Sequence, residues 1–187
     1  MKPIDLIPVG DAPGLEVLEQ LAVSLARIFE TPCQIRPQVF NAEFARDAAR
    51  GQYHSTAILS ALQRANDLDV RVLGVTAVDL YVPVLTFVFG EAQLEGNCAL
   101  VSTARLMEEH YGLPPNTPLL RERLLKEATH ELGHTFGLRH CRDWRCVMSS
   151  SHAVERVDVK SAEFCRSCRA EVFRSESAMR NWLAGTR

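Results

Sequence analysis

Apolar residues recur along the first half of the chain with two alternating periods. Ile4–Pro8 is a short apolar run of strand length. Residues 12–30 then place Leu15, Leu18, Leu21, Val23, Leu25 and Ile28 at helical spacing. Residues 33–39 alternate as a second strand, and residues 41–52 are polar, a loop with a helical turn. Thr56 is placed to cap a helix through Ile58, Leu59 and Leu62 that ends near Asn66, and residues 70–75 form a buried strand. This β-α-β-α-β order predicts a mixed sheet with right-handed crossovers.

The second half changes character. Residues 84–89 and 98–102 are two strands close in sequence, an expected antiparallel hairpin joined by residues 90–97. A proline-rich loop (Pro114, Pro115) leads to Thr117 as an N-cap with Pro118 in the first turn. The following helix buries Leu120, Leu124, Leu125, Ala128, Leu132 and Phe136 and stops at Gly137. Residues 138–160 show no regular period. Residues 170–184 predict a final amphipathic helix with Val172, Phe173, Met179, Trp182 and Leu183 on its apolar side.

The 187 residues suffice for one domain, which divides at the change of pattern into residues 1–137 and 138–187. No apolar run reaches membrane-spanning length, and the start, Met1-Lys2-Pro3-Ile4-Asp5, has neither signal-peptide form nor room for a pro-segment before the first strand. These features predict a cytoplasmic, monomeric protein. Cys33 and Cys98 read as small core residues in buried strands rather than a disulfide. Charge is uneven: residues 1–137 carry 11 Lys/Arg against 17 Asp/Glu, and residues 138–187 carry 10 against 6.

Where the period ends, the chemistry begins. His130 and His134 sit one helical turn apart on one face, a spacing that suits two ligands of a tetrahedral Zn²⁺. Glu131 points beside such a metal and is placed as general base for a metal-bound water. Gly137 lets the chain leave the helix in a left-handed conformation, so that His140 returns as third ligand with the fourth position open. A second signal overlaps the first. Cys141 and Cys146, spaced C-x4-C, are followed by Cys165-Arg-Ser-Cys168, two pairs that read as a closed, structural four-thiolate zinc site. Two Zn²⁺ per chain are thus expected, one catalytic and one structural. The arginines at 139, 142, 145, 166 and 169 offset the thiolate charge in this scheme, the rival being a basic patch for nucleic acid or an acidic partner.

The run H-E-L-G-H-T-F-G-L-R-H-C-x4-C-x-M, with sixteen residues before C-x2-C, resembles the archaemetzincins, a metzincin branch of zinc peptidases with an added four-cysteine zinc. The likeness extends upstream to L-T-F-V-F-G-E-A and R-E-R-L-L-K-E-A. It implies an α/β (α+β) metzincin-like fold: a twisted, mixed five-stranded sheet with an antiparallel edge strand, an active-site helix and a small C-terminal subdomain. It further implies that Met148 supports the histidines from a tight turn without being a ligand. The residues Leu85, Thr86, Phe87, Val88, Phe89 and Gly90 then take the place of the edge strand on which substrate peptide adds a strand. The simpler role for Phe87 and Phe89 is to cover the core. Many metzincins place a transition-state tyrosine after the methionine turn, yet this chain has none after Tyr111. Of His54, His110 and His152, which have no partner in sequence, only His152 follows that turn and is placed to face a cleft.

The function expected is hydrolysis of peptide bonds, narrow in specificity, on short peptides or free N-termini, with peptide or protein as partner and neither nucleic acid nor membrane. The alternative is a non-catalytic zinc module that binds a partner through the cysteine site and the basic C-terminal part. The intact Glu131 argues against that alternative.

Overall fold

The computed structural model describes residues 1–174. In chain order its elements are β1 (Ile4–Pro8), α1 (Leu15–Phe29), β2 (Cys33–Ile35), β3 (Arg46–Asp47), β4 (Gln52–His54), α2 (Ser55–Ala65), β5 (Arg71–Thr76), β6 (Leu80–Tyr81), β7 (Gly90–Ala92), β8 (Cys98–Ser102), α3 (Thr117–Thr135) and α4 (Val154–Val159). Residues 166–174 add a helix, α5.

The main sheet has the order β2-β1-β5-β8-β7, with every pairing parallel except the antiparallel edge strand β7. Its three inner strands are buried at every position, as parallel strands covered on both faces must be. Side-chain alternation then divides the core. Leu73, Val75, Ala99 and Val101 face α1 and α3, whereas Val72, Cys98 and Leu100 face α2. The expected mixed five-stranded sheet with an antiparallel edge is therefore present, and among the described residues no helix is long and apolar enough to cross a membrane.

Several boundaries differ, each for a local reason. The second strand ends at Ile35 because Pro37 has no N–H for a ladder, and the chain rejoins β1 only at the Val9–Phe40 bridge. Cys33 is accordingly half-buried, while Cys98 is fully buried and both thiols are free. The expected strand at 84–89 is a loop. Leu85 N–H closes a turn onto Val82 C=O at 3.0 Å, and the edge strand is Gly90–Ala92 instead. Residues 46–54 and 80–81 build a small second sheet, β3-β4-β6, whose strands of two or three residues are too short to show a period. Thr56 does not cap α2. The helix starts at Ser55, and both hydroxyls donate to the Glu91 carboxylate, which lies over the positive end of the helix.

The N-cap of α3 is Asn116, whose Oδ1 accepts from Leu119 N–H at 3.2 Å, one residue before the expected Thr117. The α4 helix was hidden within the aperiodic 138–160 stretch. The last helix begins at 166 rather than 170, and Met179, Trp182 and Leu183 lie outside the described residues.

Candidate metal centre and cleft

The centre is built on the last two turns of α3. Leu124, Ala128 and Leu132 are fully buried against the sheet and hold the helix down. His130 and Glu131 are buried and His134 half-buried. Phe136 ends the helix, and Gly137, at φ 88°, adopts the left-handed turn. Leu138 N–H bonds back to Gly133 C=O at 3.3 Å and Gly137 N–H to His134 C=O at 2.9 Å, the two bonds of a Schellman turn. The hairpin between β7 and β8 braces this end: Glu95 N–H also donates to His134 C=O at 3.1 Å. Arg71, from β5, donates to Thr135 C=O at 2.9 Å and stacks over the Phe136 ring.

That turn returns His140 to its partners. The three ring centroids lie 4.7, 5.3 and 5.2 Å apart, and one ligand atom from each residue falls within 4.8 Å of the others. His130 Nε2 and His134 Nε2 are 3.1 Å apart. Two imidazole nitrogens on a tetrahedral Zn²⁺ would be about 3.3 Å apart, so the pair fits that ion. The opposite ring nitrogens are engaged: His130 Nδ1 with Val147 C=O at 2.8 Å, His134 Nδ1 with Leu138 C=O at 2.7 Å. A carbonyl accepts only, so each Nδ1 carries the proton and each Nε2 presents a lone pair inward. Burial pushes His130 well below the ordinary histidine range, aided by the Lys160 cation, and burial lowers His134 and His140 as well. The rings are therefore neutral donors at neutral pH.

Glu131 lies beside them, and its stem rests on the edge strand. A Cβ at Gly90 would stand 2.6 Å from Glu131 Cγ and 2.8 Å from Oε1, so only glycine leaves room. Burial raises the Glu131 carboxyl well above the usual range, and Glu127, one turn earlier, adds to the shift. Glu127 is itself buried, with Oε1 2.7 Å from Lys160 Nζ, while Lys160 also donates to Ser149 C=O at 3.3 Å. Sequence inspection missed this pair. Glu127 had the signal of sharing a helix face with Glu131, but Lys160 had none.

Met148 is fully buried under α3. Its thioether occupies the space a side chain at Gly133 would need, between the two helical histidines. The turn carrying it is closed by Ser149 N–H to Cys146 C=O at 2.9 Å, and Met148 C=O accepts from Cys141 N–H at 2.9 Å.

Cys141, Cys146, Cys165 and Cys168 also converge, their sulfurs within 4.8 Å of one another. Cys141 Sγ and Cys165 Sγ are 3.9 Å apart, close to the roughly 3.8 Å expected of two thiolates on one tetrahedral zinc. Burial works against ionisation at Cys165, but hydrogen bonds from Ser167 and the Cys168 backbone bring its thiol down to about 6.

A cleft of about 370 Å³ opens over His130 and His140. Residues 85–90 form one wall, and Glu127, His130, Glu131, His140 and residues 150–152 form the other. Leu85, Thr86, Phe87, Val88, Phe89 and Gly90 line the cleft, only Gly90 from a strand. His152 does line the cleft, whereas His54 packs on Tyr81 and His110 on Tyr111, away from it.

Comparison with known proteins agrees with this geometry. The family model described as Peptidase family M54 matches residues 17–174. The archaemetzincin of Methanocaldococcus jannaschii is 47% identical over 161 residues, which cover 86% of this chain and 87% of that one. The archaemetzincin of Pyrococcus furiosus is 40% identical over 171 residues, 88% of this chain and 89% of its own length. Among solved structures, archaemetzincin from Archaeoglobus fulgidus in complex with malonate superposes with a TM-score of 0.78 at 38% identity, covering 90% of this chain and 99% of that one. A zinc-dependent peptidase from Methanocorpusculum labreanum gives 0.83 at 28% identity with the same coverage. With the histidine and cysteine clusters both assembled, the chain belongs to peptidase family M54, the archaemetzincins.

Proposed function

We infer that this chain is a zinc-dependent peptidase whose work is done on α3. The observation that carries the inference is the convergence of three neutral imidazoles on one point with the Glu131 carboxylate beside it. His130, His134 and His140 would hold the catalytic ion, and Cys141, Cys146, Cys165 and Cys168 a second, structural one. Zn²⁺ at the histidines supplies a Lewis acid that polarises a scissile carbonyl and lowers the pKa of water towards ~7. Glu131 takes the proton from the attacking water and returns it to the leaving amine. Its raised pKa suits both halves of that exchange. Met148 and the Schellman turn hold the rings in place.

Substrate would enter between the 85–90 wall and the Met148 turn. Phe89 C=O accepts from Ser102 N–H, and Gln93 N–H donates to Cys98 C=O, so the antiparallel pattern turns the N–H and C=O of Gly90 and Ala92 away from β8. That free edge is where an extended peptide would add a strand. The cleft, about 370 Å³, is of a size to take a few residues of a peptide, which fits short peptides or free N-termini. Residues 1–137 would act as the sheet-bearing half and 138–187 as the metal-clamped half of one catalytic domain, monomeric and cytoplasmic, without nucleic-acid or membrane partners.

The test is turnover of fluorogenic peptides, with blocked and free N-termini, by zinc-replete protein and by Glu131→Gln. Wild type should cleave at least one set, and Glu131→Gln should keep its zinc and lose cleavage. Equal turnover by both forms would refute the role of Glu131.

A further inference from the structure

The main sheet holds the cleft wall opposite the histidines only at its end, where Phe89 C=O accepts from Ser102 N–H at 2.8 Å and Gly90 pairs with Val101. Residues 82–89 form a loop joined to β6 by a single bridge, with Val88 N–H donating to Leu80 C=O at 2.9 Å. Its middle is held by side chains from elsewhere. Gln52, on β4 and only 7% exposed, donates its amide to Thr86 C=O at 3.0 Å and to Asp79 Oδ2 at 2.9 Å. Its own carbonyl accepts from Arg50 Nε at 3.0 Å. Arg50 Nη2 then reaches Thr86 C=O at 3.2 Å and Leu85 C=O at 3.3 Å. Behind Asp79 stands Arg105, which donates to both carboxylate oxygens at 2.7 Å and lays its guanidinium 4.2 Å from the Phe87 ring centre.

Polar residues from three separate stretches, Arg50 with Gln52, Asp79 and Arg105, therefore converge behind one loop. The backbone acceptors of Leu85 and Thr86 are bound to Arg50 and Gln52, which do not line the cleft. Phe87 and Phe89, in edge-to-face contact at 5.3 Å, would cover the core without any such capture. A buried amide that satisfies three partners is costly to leave unpaired, so Gln52 makes the wall's position nearly single-valued. The small sheet thereby gains a purpose that its two- and three-residue strands do not explain.

We propose that Gln52 and Arg105, with Arg50 and Asp79, are positioning residues that fix the height of the 85–88 wall above the histidines. They set how tightly a peptide is held and leave bond cleavage to the groups on α3. This rests on the peptidase reading and deepens it.

The experiment uses the zinc-loaded full chain as wild type, Gln52→Met and Arg50→Met, with a short peptide hydroxamate as binding probe. Loss of the Gln52 bonds should weaken hydroxamate binding, and raise peptide KM, by about five- to tenfold. The kcat should stay within about twofold, zinc content should not change, and hydrogen exchange of the amides at 84–89 should rise. Arg50 is exposed, so its replacement spares the core and should give a smaller effect of the same kind. Unchanged hydroxamate affinity in both variants, or a fall in kcat at constant KM, overturns the proposal. Should Gln52→Met fail to fold, Arg50→Met decides by the same criteria. A wild type that neither cleaves peptides nor binds the hydroxamate removes the peptidase reading itself, whereas an active wild type matched by both variants removes the positioning role alone.

Discussion

Gly90 and Glu131 are in van der Waals contact across the floor of the cleft: a methyl group on Gly90 would stand 2.6 Å from Glu131 Cγ and 2.6 Å from Leu100 C=O. One residue of the edge strand thus sets where Glu131, the proposed general base, sits. The glutamate can swing aside, but the clash with the Leu100 carbonyl remains and is relieved only by a shift of β7.

Gly90→Ala should therefore displace Glu131 while leaving the histidines untouched. Overpacking of this kind costs about 1–3 kcal/mol. Misplacing a general base costs on the order of 100-fold in rate. Peptide kcat measured alongside zinc content checks the point: activity should drop with zinc retained. Undiminished turnover would mean that the carboxylate has another resting place.

How much of this was legible beforehand depended on the range of the interactions. The inner strands announced themselves because both faces are apolar, and His130, Glu131, His134 and His140 because their spacing is itself geometry. The four cysteines were visible for the same reason, and Met148 through the family resemblance. The 84–89 loop was not. Its alternating Leu85, Phe87 and Phe89 have strand character, but its carbonyls go to Arg50 and Gln52, more than thirty residues away. Lys160 was equally invisible, since nothing near it in sequence marks it as the counter-ion of Glu127. Long-range polar capture leaves no local period.

The Glu127–Lys160 pair should behave as a unit. Both side chains are almost wholly buried, at 4% and 1% exposure, and Oε1 meets Nζ as an ionic contact 2.7 Å long. Lys160→Met alone strands a buried carboxylate and should destabilise by about 3–5 kcal/mol. Glu127→Leu with Lys160→Met should recover about half of that or more, because two apolar groups replace two charges. Urea unfolding of the two singles and the double gives the coupling energy directly. Strict additivity would show that the two charges are solvated independently.

The two proposed metal positions should empty in order. The histidine centre offers three neutral nitrogens and an open vertex to solvent, and His140 is exposed. The cysteine centre offers four sulfurs. Brief dialysis against a chelator should remove one zinc per chain and all peptide cleavage, with the circular dichroism spectrum kept. A mercurial that titrates thiols should release the second zinc and expose residues 141–168 to protease, the outcome expected if an ion at the four cysteines folds this stretch. Loss of both ions in a single step would contradict the difference in ligand chemistry.

The pH dependence of the metal-free protein carries two opposed signs. Folding lowers the pKa of His130, His134 and His140 from 6.5, so between 6.5 and the lowered values the unfolded chain holds more protons. Stability from this source is complete above 6.5 and lost as pH falls through that window. Glu131 acts in the other direction. Its folded pKa lies well above 4.5, so its contribution is complete below 4.5 and lost as pH rises through the raised value. The urea midpoint of wild type sums these contributions with that of the Cys165 thiol, whose pKa folding lowers from 9.0 to about 6, so comparison with a variant is what isolates Glu131. Glu131→Gln removes only the second term, so the difference between wild type and variant should change steadily across the range where Glu131 ionises in the folded chain, with the variant relatively more stable at the alkaline end. A difference that does not vary with pH would mean that Glu131 is already ionised in the folded chain at pH 5, and that its burial against Gly90 does not perturb it.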